Sequence, residues 1–255
     1  MTPLMITLFI VAGIALLIAV GYMNNVVENN KLEKARLKID LGERIRRCGE
    51  VTESFPGQFM SPALKVLLTR LELNLNKRLL AQDKKNPVLI TRIGELEALL
   101  AKGEAMPISN RPTPILTEAR AKDVRHLLEA LHSQIARAAQ EGFLPASEAK
   151  HWIREVRHIL VQLHIEFFNN LGQHALQQNQ PGQARLAFER GVQYLRKQPE
   201  PQVYQEQLQY LEKLLARTNA MLVAITAPAE DQVNQLTDGL KTDEEENWKK
   251  KVIYD

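Results

Sequence analysis

"SPALKVLLTRLELNLNKRLLAQ", residues 61–82, carries Leu64, Leu67, Leu68, Leu71, Leu75 and Leu79 at steps of three and four. That spacing is one face of an amphipathic α-helix, and it predicts a helix from about Pro62 to Gln82. No stretch sustains the apolar/polar alternation of a half-buried strand. Aromatics are only 5% of the chain, and its apolar content is mostly Leu and Ala set among Glu, Gln, Lys and Arg, the residues that lose least side-chain entropy in a helix. The expected fold class is all-α. Basic and acidic residues number 33 and 30, a near balance that gives no concentrated basic face and no expectation of nucleic acid as a partner.

Downstream, Asn86 followed by Pro87 reads as a cap and first helical residue, with Leu89, Ile93, Leu96 and Leu100 as the next stripe. Residues 62–102 should therefore form a helical hairpin. Residues 103–114, "GEAMPISNRPTP", carry three prolines and read as a linker. Thr113-Pro114 can open a long helix faced by Val124, Leu127, Leu128, Leu131 and Ile135, which Gly142 ends. A second starts near Pro145, with Trp152, Val156, Ile159, Leu160, Leu163 and Phe167, and folds back as an antiparallel partner.

Upstream, Pro56-Gly57 breaks a charged helix of residues 24–48 whose stripe is read as Leu32, Ala35 and Ile39. Pro3 to Tyr22 contains no charged residue, and a helix of that length reaches about 30 Å, the thickness of a hydrocarbon core. The expectation is a single transmembrane anchor over 1–23, touching membrane lipid through residues 3–22, then a juxtamembrane helix and loop over 24–61. Lys31, Lys34, Arg36 and Lys38 follow the apolar run and no Lys or Arg precedes it, which places the N-terminus outside an inner membrane and the rest of the chain in the cytoplasm. Ala19-Val20-Gly21 offers a small-x-small site, so an exported protein cut near Gly21 is the alternative; the uncharged start and the long apolar run favour retention. Ala15 and Ala19 have small-xxx-small spacing, which leaves a homo-oligomer open. The lone Cys48 excludes an intramolecular disulfide, and its distance of about 37 Å along a helix from Met23 favours an inert thiol over a lipidated one.

In residues 168–201, "FNNLGQHALQQNQPGQARLAFERGVQYLRKQPEP", one helix ends near Asn179 and Pro181-Gly182 opens another whose inner face is Ala184, Phe188 and Val192. Gly172, Ala175 and Ala184 are small enough to let the two helices pack closely. The order Leu171-Gly172, Ala175, Ala184, Phe188 and then Pro199 resembles a tetratricopeptide repeat, although Gly191 stands where an alanine is usual. Ala149 and Ile153 hint at an earlier copy, and the helix after Pro201, through Leu208, Leu211, Leu215 and Leu222, would cover the exposed face. What the resemblance implies is a scaffold holding a protein or peptide in a groove around residues 165–222, without catalysis. Gly172, Ala175, Phe188, Tyr194 and, in the tail, Trp248 are the candidate partner-binding residues.

No phosphate-binding loop, HExxH or GxSxG pattern occurs. Glu129-x-x-His132 and Glu155-x-x-His158 each place a carboxylate and an imidazole on one helical face, as in di-metal bundles, but both pairs lie beside their leucine stripes. Surface ion pairing is the expected role, and a membrane-anchored di-metal enzyme is the competing reading. Residues 115–226 are expected as a helical domain and 227–255 as a flexible tail. In that tail, Thr242 can cap a short helix with Asp243 to Glu246 at its positive end, Lys249 to Lys251 at its negative end, and Trp248 and Val252 on one face. The sequence thus points to a membrane-anchored cytoplasmic adaptor that binds a protein partner and holds no cofactor.

Overall fold

The computed structural model describes residues 3–226 and, within them, the side chains of all but residues 3–12, 14, 15, 18, 104 and 226. Among the described residues there are seven α-helices, three 3-10 turns and no strand, as the leucine periodicity requires: α1 Pro3–Ser54, α2 Pro62–Gln82, α3 Pro87–Leu100, α4 Glu118–Gln140, α5 Ala146–Gln177, α6 Pro181–Arg196 and α7 Gln205–Thr226. The chain divides into two compact units, Met1–Phe167 and Phe168–Asp255, and α5 supplies residues to each.

In the first unit α2 is the hub. Ser61 caps it by accepting the Leu64 N–H at 3.1 Å, and Pro62 sits in the first turn, where its missing N–H costs nothing. Its leucine stripe is buried, but so are Lys65, Thr69, Glu72 and Asn76, so the helix is enclosed on more than the amphipathic face. Each buried polar group finds a partner. Arg92 of α3 donates to Glu72 Oε1 at 2.7 and 2.9 Å, Lys65 Nζ donates to the Pro107 carbonyl at 2.8 Å, and Thr69 and Asn76 donate to carbonyls one turn back. The α2–α3 hairpin stands as expected, with Asn86 accepting the Val88 and Leu89 N–H groups. Of the α3 stripe only Leu96 is fully buried.

Residues 103–114 differ from the expected linker. Met106 and Ile115 are buried, the Gly57 N–H bonds to the Arg111 carbonyl, and Asn110 Nδ2 donates to the Thr52 and Phe55 carbonyls that end α1. Gln58 donates to the Thr113 carbonyl and accepts its N–H, while Glu166 accepts the Ile115 N–H at 3.1 Å. The prolines make an extended strap across the unit, and no boundary falls there. For the same reason α4 starts later than Thr113-Pro114 suggests, at Glu118 with Thr117 as cap. Its end at Gly142, φ 74°, is as expected: Phe143 and Gly142 N–H groups return to Ala138 and Ala139 carbonyls, a closure that needs the left-handed conformation glycine adopts freely.

The charged helix read over residues 24–48 also needs correcting. Its backbone is part of one unbroken helix from Pro3 to Ser54, and every described side chain from Gly13 to Asp40 is exposed, Leu32 and Ile39 among them. The face that packs is Leu41, Arg44, Cys48, Val51 and Phe55. No helix of the described residues is long and apolar enough to cross a membrane; the side chains of residues 3–12 lie outside that description. Burial pushes the Cys48 thiol up to about 12, so it is inert.

Arg44, 4% exposed, reaches Glu141 at the end of α4 through two hydrogen bonds of 2.6 and 3.2 Å and Gln134 through one of 3.3 Å; Arg78 of α2 also donates to Glu141. Burial alone would raise the Glu141 carboxyl, but the bonds and charges of Arg44 and Arg78 outweigh it and hold the group below 4.5. A carboxylate depressed on folding stabilises above its unfolded value, near 4.5, and loses that contribution as pH falls through the lower folded value. Glu141→Ala, which strands a buried guanidinium, should cost roughly 3 kcal/mol in urea unfolding at neutral pH. Glu141→Gln should flatten the loss of stability seen in the parent below about pH 4.5; an acid limb unchanged by Glu141→Gln would refute this assignment.

Candidate functional site

The second unit builds its surface from three helices whose close approach is set by small residues. Past the end of α5 at Gln177, Asn179 takes φ 56°, the Gln180 and Asn179 N–H groups return to the Ala175 and Leu176 carbonyls, and Pro181 opens α6. Ala184 and Phe188 on α6 are both 0% exposed. A Cβ built on Gly172 would lie 2.3 Å from the Phe188 ring, so the ring lies where only a glycine leaves room. Gly191 performs a milder service for α7, where a Cβ would meet the Leu211 Cδ1 at 2.9 Å and Phe168 Cβ at 3.1 Å. After α6 the chain turns through Pro201–Tyr204 and returns as α7, with Leu211 and Thr218 buried.

Between α6 and α7 runs an open groove of about 440 Å³. Arg185, Glu189, Val192, Gln193 and Arg196 form one wall, Glu212, Leu215, Ala216 and Asn219 the other. The wall positions on α6 follow helical steps, so one face is presented throughout. Arg196 bonds Glu212 at 2.6 Å and closes one end. Arg185, near Asn219 at the opposite end, makes no ion pair among the described residues. Val192, Leu215 and Ala216 are the apolar members of a lining that is otherwise charged or polar.

Of the residues singled out in the sequence, Gly172, Ala175 and Phe188 are placed in the packing between α5 and α6. Phe188 and Ala175 are buried, so their side chains shape the hairpin from within. Tyr194 is half-buried, its ring 6.2 Å from that of Phe168; Trp248 lies outside the described residues. Ala149 and Ile153 fall on the same continuous 32-residue α5 as Leu171-Gly172, with no glycine or proline between Ile153 and Leu171 to part them into two helices. Glu129 is exposed and bonds Arg125 at 2.9 Å and His126 at 3.3 Å. The Arg125 hydrogen bond, foremost, holds its carboxyl below the ordinary glutamate value. His132 is exposed, Glu155 and His158 are half-buried, and His158 meets Gln162 at 2.9 Å. Among the described residues no three His, Cys, Asp or Glu side chains gather as a metal site. Sequence reasoning did not single out the rim residues Arg185, Glu189, Arg196 and Glu212, whose one available signal was their recurrence on the α6 and α7 faces that flank the buried residues.

Among known proteins, no family model, no curated protein and no solved structure matches this chain.

The glycine geometry has a graded consequence. Gly172→Ala should destabilise the second unit by about 1–3 kcal/mol, because an aromatic ring must leave its place. Gly191→Ala, which meets the flexible end of Leu211 and gains helix propensity, should change stability by less than about 1 kcal/mol. Thermal unfolding of the two variants tests the ordering, and an equal effect would contradict it.

Proposed function

We propose that the protein is a membrane-anchored helical adaptor whose second unit receives a partner's amphipathic helix in the α6–α7 groove. The observation that carries this reading is α1: one unbroken helix runs from the uncharged stretch 3–22, through an exposed stalk, into the core at Leu41. From Met23 to Leu41 a helix rises about 27 Å. An anchor joined to a body by a continuous helix transmits position, where a flexible linker would not. Lys31, Lys34, Arg36 and Lys38 on that stalk support a cytoplasmic body, and confinement at the inner membrane raises the local concentration of a membrane-associated partner. The tetratricopeptide-like order of Gly172, Ala175, Ala184 and Phe188 favours peptide holding over catalysis.

The chain should remain in the membrane pellet after an alkaline carbonate wash, and protease added to spheroplasts should leave the body uncut. Residues 24–255 expressed alone should be recovered in the soluble fraction with the helical circular dichroism and cooperative melting of the body retained. Release of the full chain by carbonate, or trimming of the body from outside, would overturn the anchor. Leu215→Glu in the groove should remove crosslinks to the partner in intact cells without lowering melting temperature; crosslinks that survive it would place the partner elsewhere.

A further inference from the structure

The end of the first unit nearest the uncharged stretch 3–22 has a composition of its own. α2 begins at Pro62, past the turn that ends α1, and runs back along α1, so its last residues lie beside the stalk. Lys38 Nζ donates to Asp83 Oδ2 at 2.8 Å, and Arg78 of α2 shares Glu141 with Arg44 of α1. Asp83 to Asn86 then turn the chain into α3. This tip carries Lys84 and Lys85, both exposed, and the first four residues of α3 add Val88, 73% exposed, and Ile90, 53% exposed.

The stalk extends the basic character. At 3.6 residues per turn Lys31, Lys34 and Lys38 fall on one side of α1, the side that meets the tip, and Glu28 and Glu33 lie to either side of that row. The acids around the tip are already bonded: Asp83 to Lys38, Asp40 to Arg137, and Glu141 to Arg44 and Arg78. Lys31, Lys34, Lys84 and Lys85 make no ion pair among the described residues. Four cations without partners beside two exposed apolar side chains fit an anionic surface with an apolar layer beneath it, which is the surface of a charged lipid leaflet.

Reach agrees with that partner. From Tyr22 to Lys38 the helix rises about 24 Å, of which the headgroup layer takes up roughly 6 Å. A crossing helix can tilt by about 40°, which lowers Lys38 by roughly 6 Å, and lowers a tip roughly 9 Å to the side of the α1 axis by a similar amount again when the tilt is towards it. The tip lysines then stand within a Debye length, ~8 Å at physiological salt, of the lipid charges. We infer that Lys84, Lys85, Val88 and Ile90 at the α2–α3 tip dock, with Lys31 and Lys34, on the anionic face of the membrane that α1 enters, and so set the tilt of the first unit. The tilt rests on the anchor reading; the affinity of the tip for anionic lipid does not.

The full chain with Val88→Cys takes an environment-sensitive dye at that thiol alone, because Cys48 is buried and inert, and circular dichroism verifies the fold. It is placed in vesicles of phosphatidylcholine, or of phosphatidylcholine mixed with phosphatidylglycerol. With the anionic lipid the dye emission should move to the blue and acrylamide quenching should fall severalfold; raised salt, or Lys84→Glu with Lys85→Glu, should reverse both. A dye on Ser54→Cys, exposed at the far end of α1, should not respond to lipid charge. Should Val88→Cys disturb the fold, the dye on Ile90→Cys gives the same reading. No change at Val88, or an equal change with the zwitterionic vesicles, overturns the docking. A change that follows protein density and not lipid charge overturns it in favour of a second copy. Flotation separates this docking from the anchor. A chain that floats with both kinds of vesicle and shows no shift keeps the anchor and loses the docking, whereas one that floats with anionic vesicles alone, and leaves them in raised salt, keeps the docking and loses the anchor.

Discussion

The first unit is organised by the enclosure of α2. A helix buried on one stripe can leave its polar residues in water, but a helix enclosed by α1, α3 and the proline strap cannot. Lys65, Glu72 and Asn76 are at most 8% exposed, and a buried charge without a partner would cost several kcal/mol. That requirement recruits the neighbours. Glu72 holds α3 through Arg92, and Lys65 holds the strap at the Pro107 carbonyl. Three prolines suit a segment that offers carbonyls as acceptors and donates few backbone bonds, so the strap satisfies a central helix that a flexible linker would have left unpaired.

Local chemistry was legible where it acts within one helical turn. The α2 stripe, the Asn86-Pro87 start, the Gly142 stop and the Asn179-Pro181 turn each follow from residues within a few positions of one another. What escaped the sequence depends on distant partners. Gln58 and Glu166 fix the strap across more than fifty residues of chain, and no periodicity encodes that pairing. The packed face of α1 escaped for another reason. It includes Arg44, whose burial is permitted by distant partners, Glu141 and Gln134, whereas Leu32 and Ile39 advertise a stripe that is exposed. In the second unit the small residues disclosed the close approach of α5 and α6, but the groove walls are charged and exposed. Such residues look like ordinary solvated surface until α7 is laid beside α6.

The groove is itself a product of how the three helices of the second unit share their side chains. α6 sets the ring of Phe188 against Gly172 of α5, and presents only a glycine to Leu211 of α7. α7 can therefore approach near Gly191, and the Arg196–Glu212 bond fastens the end beyond it. Beyond Gln193 the facing wall of α7 is Leu215, Ala216 and Asn219, with the small Ala216 leaving room beside Val192. The pair leaves an open groove between them, lined by Val192, Leu215 and Ala216 among charged and polar side chains. Filling it with water forgoes the dispersion contacts and apolar burial that a side chain would supply. Thus the glycines that let the three helices approach also fix where the groove between α6 and α7 lies.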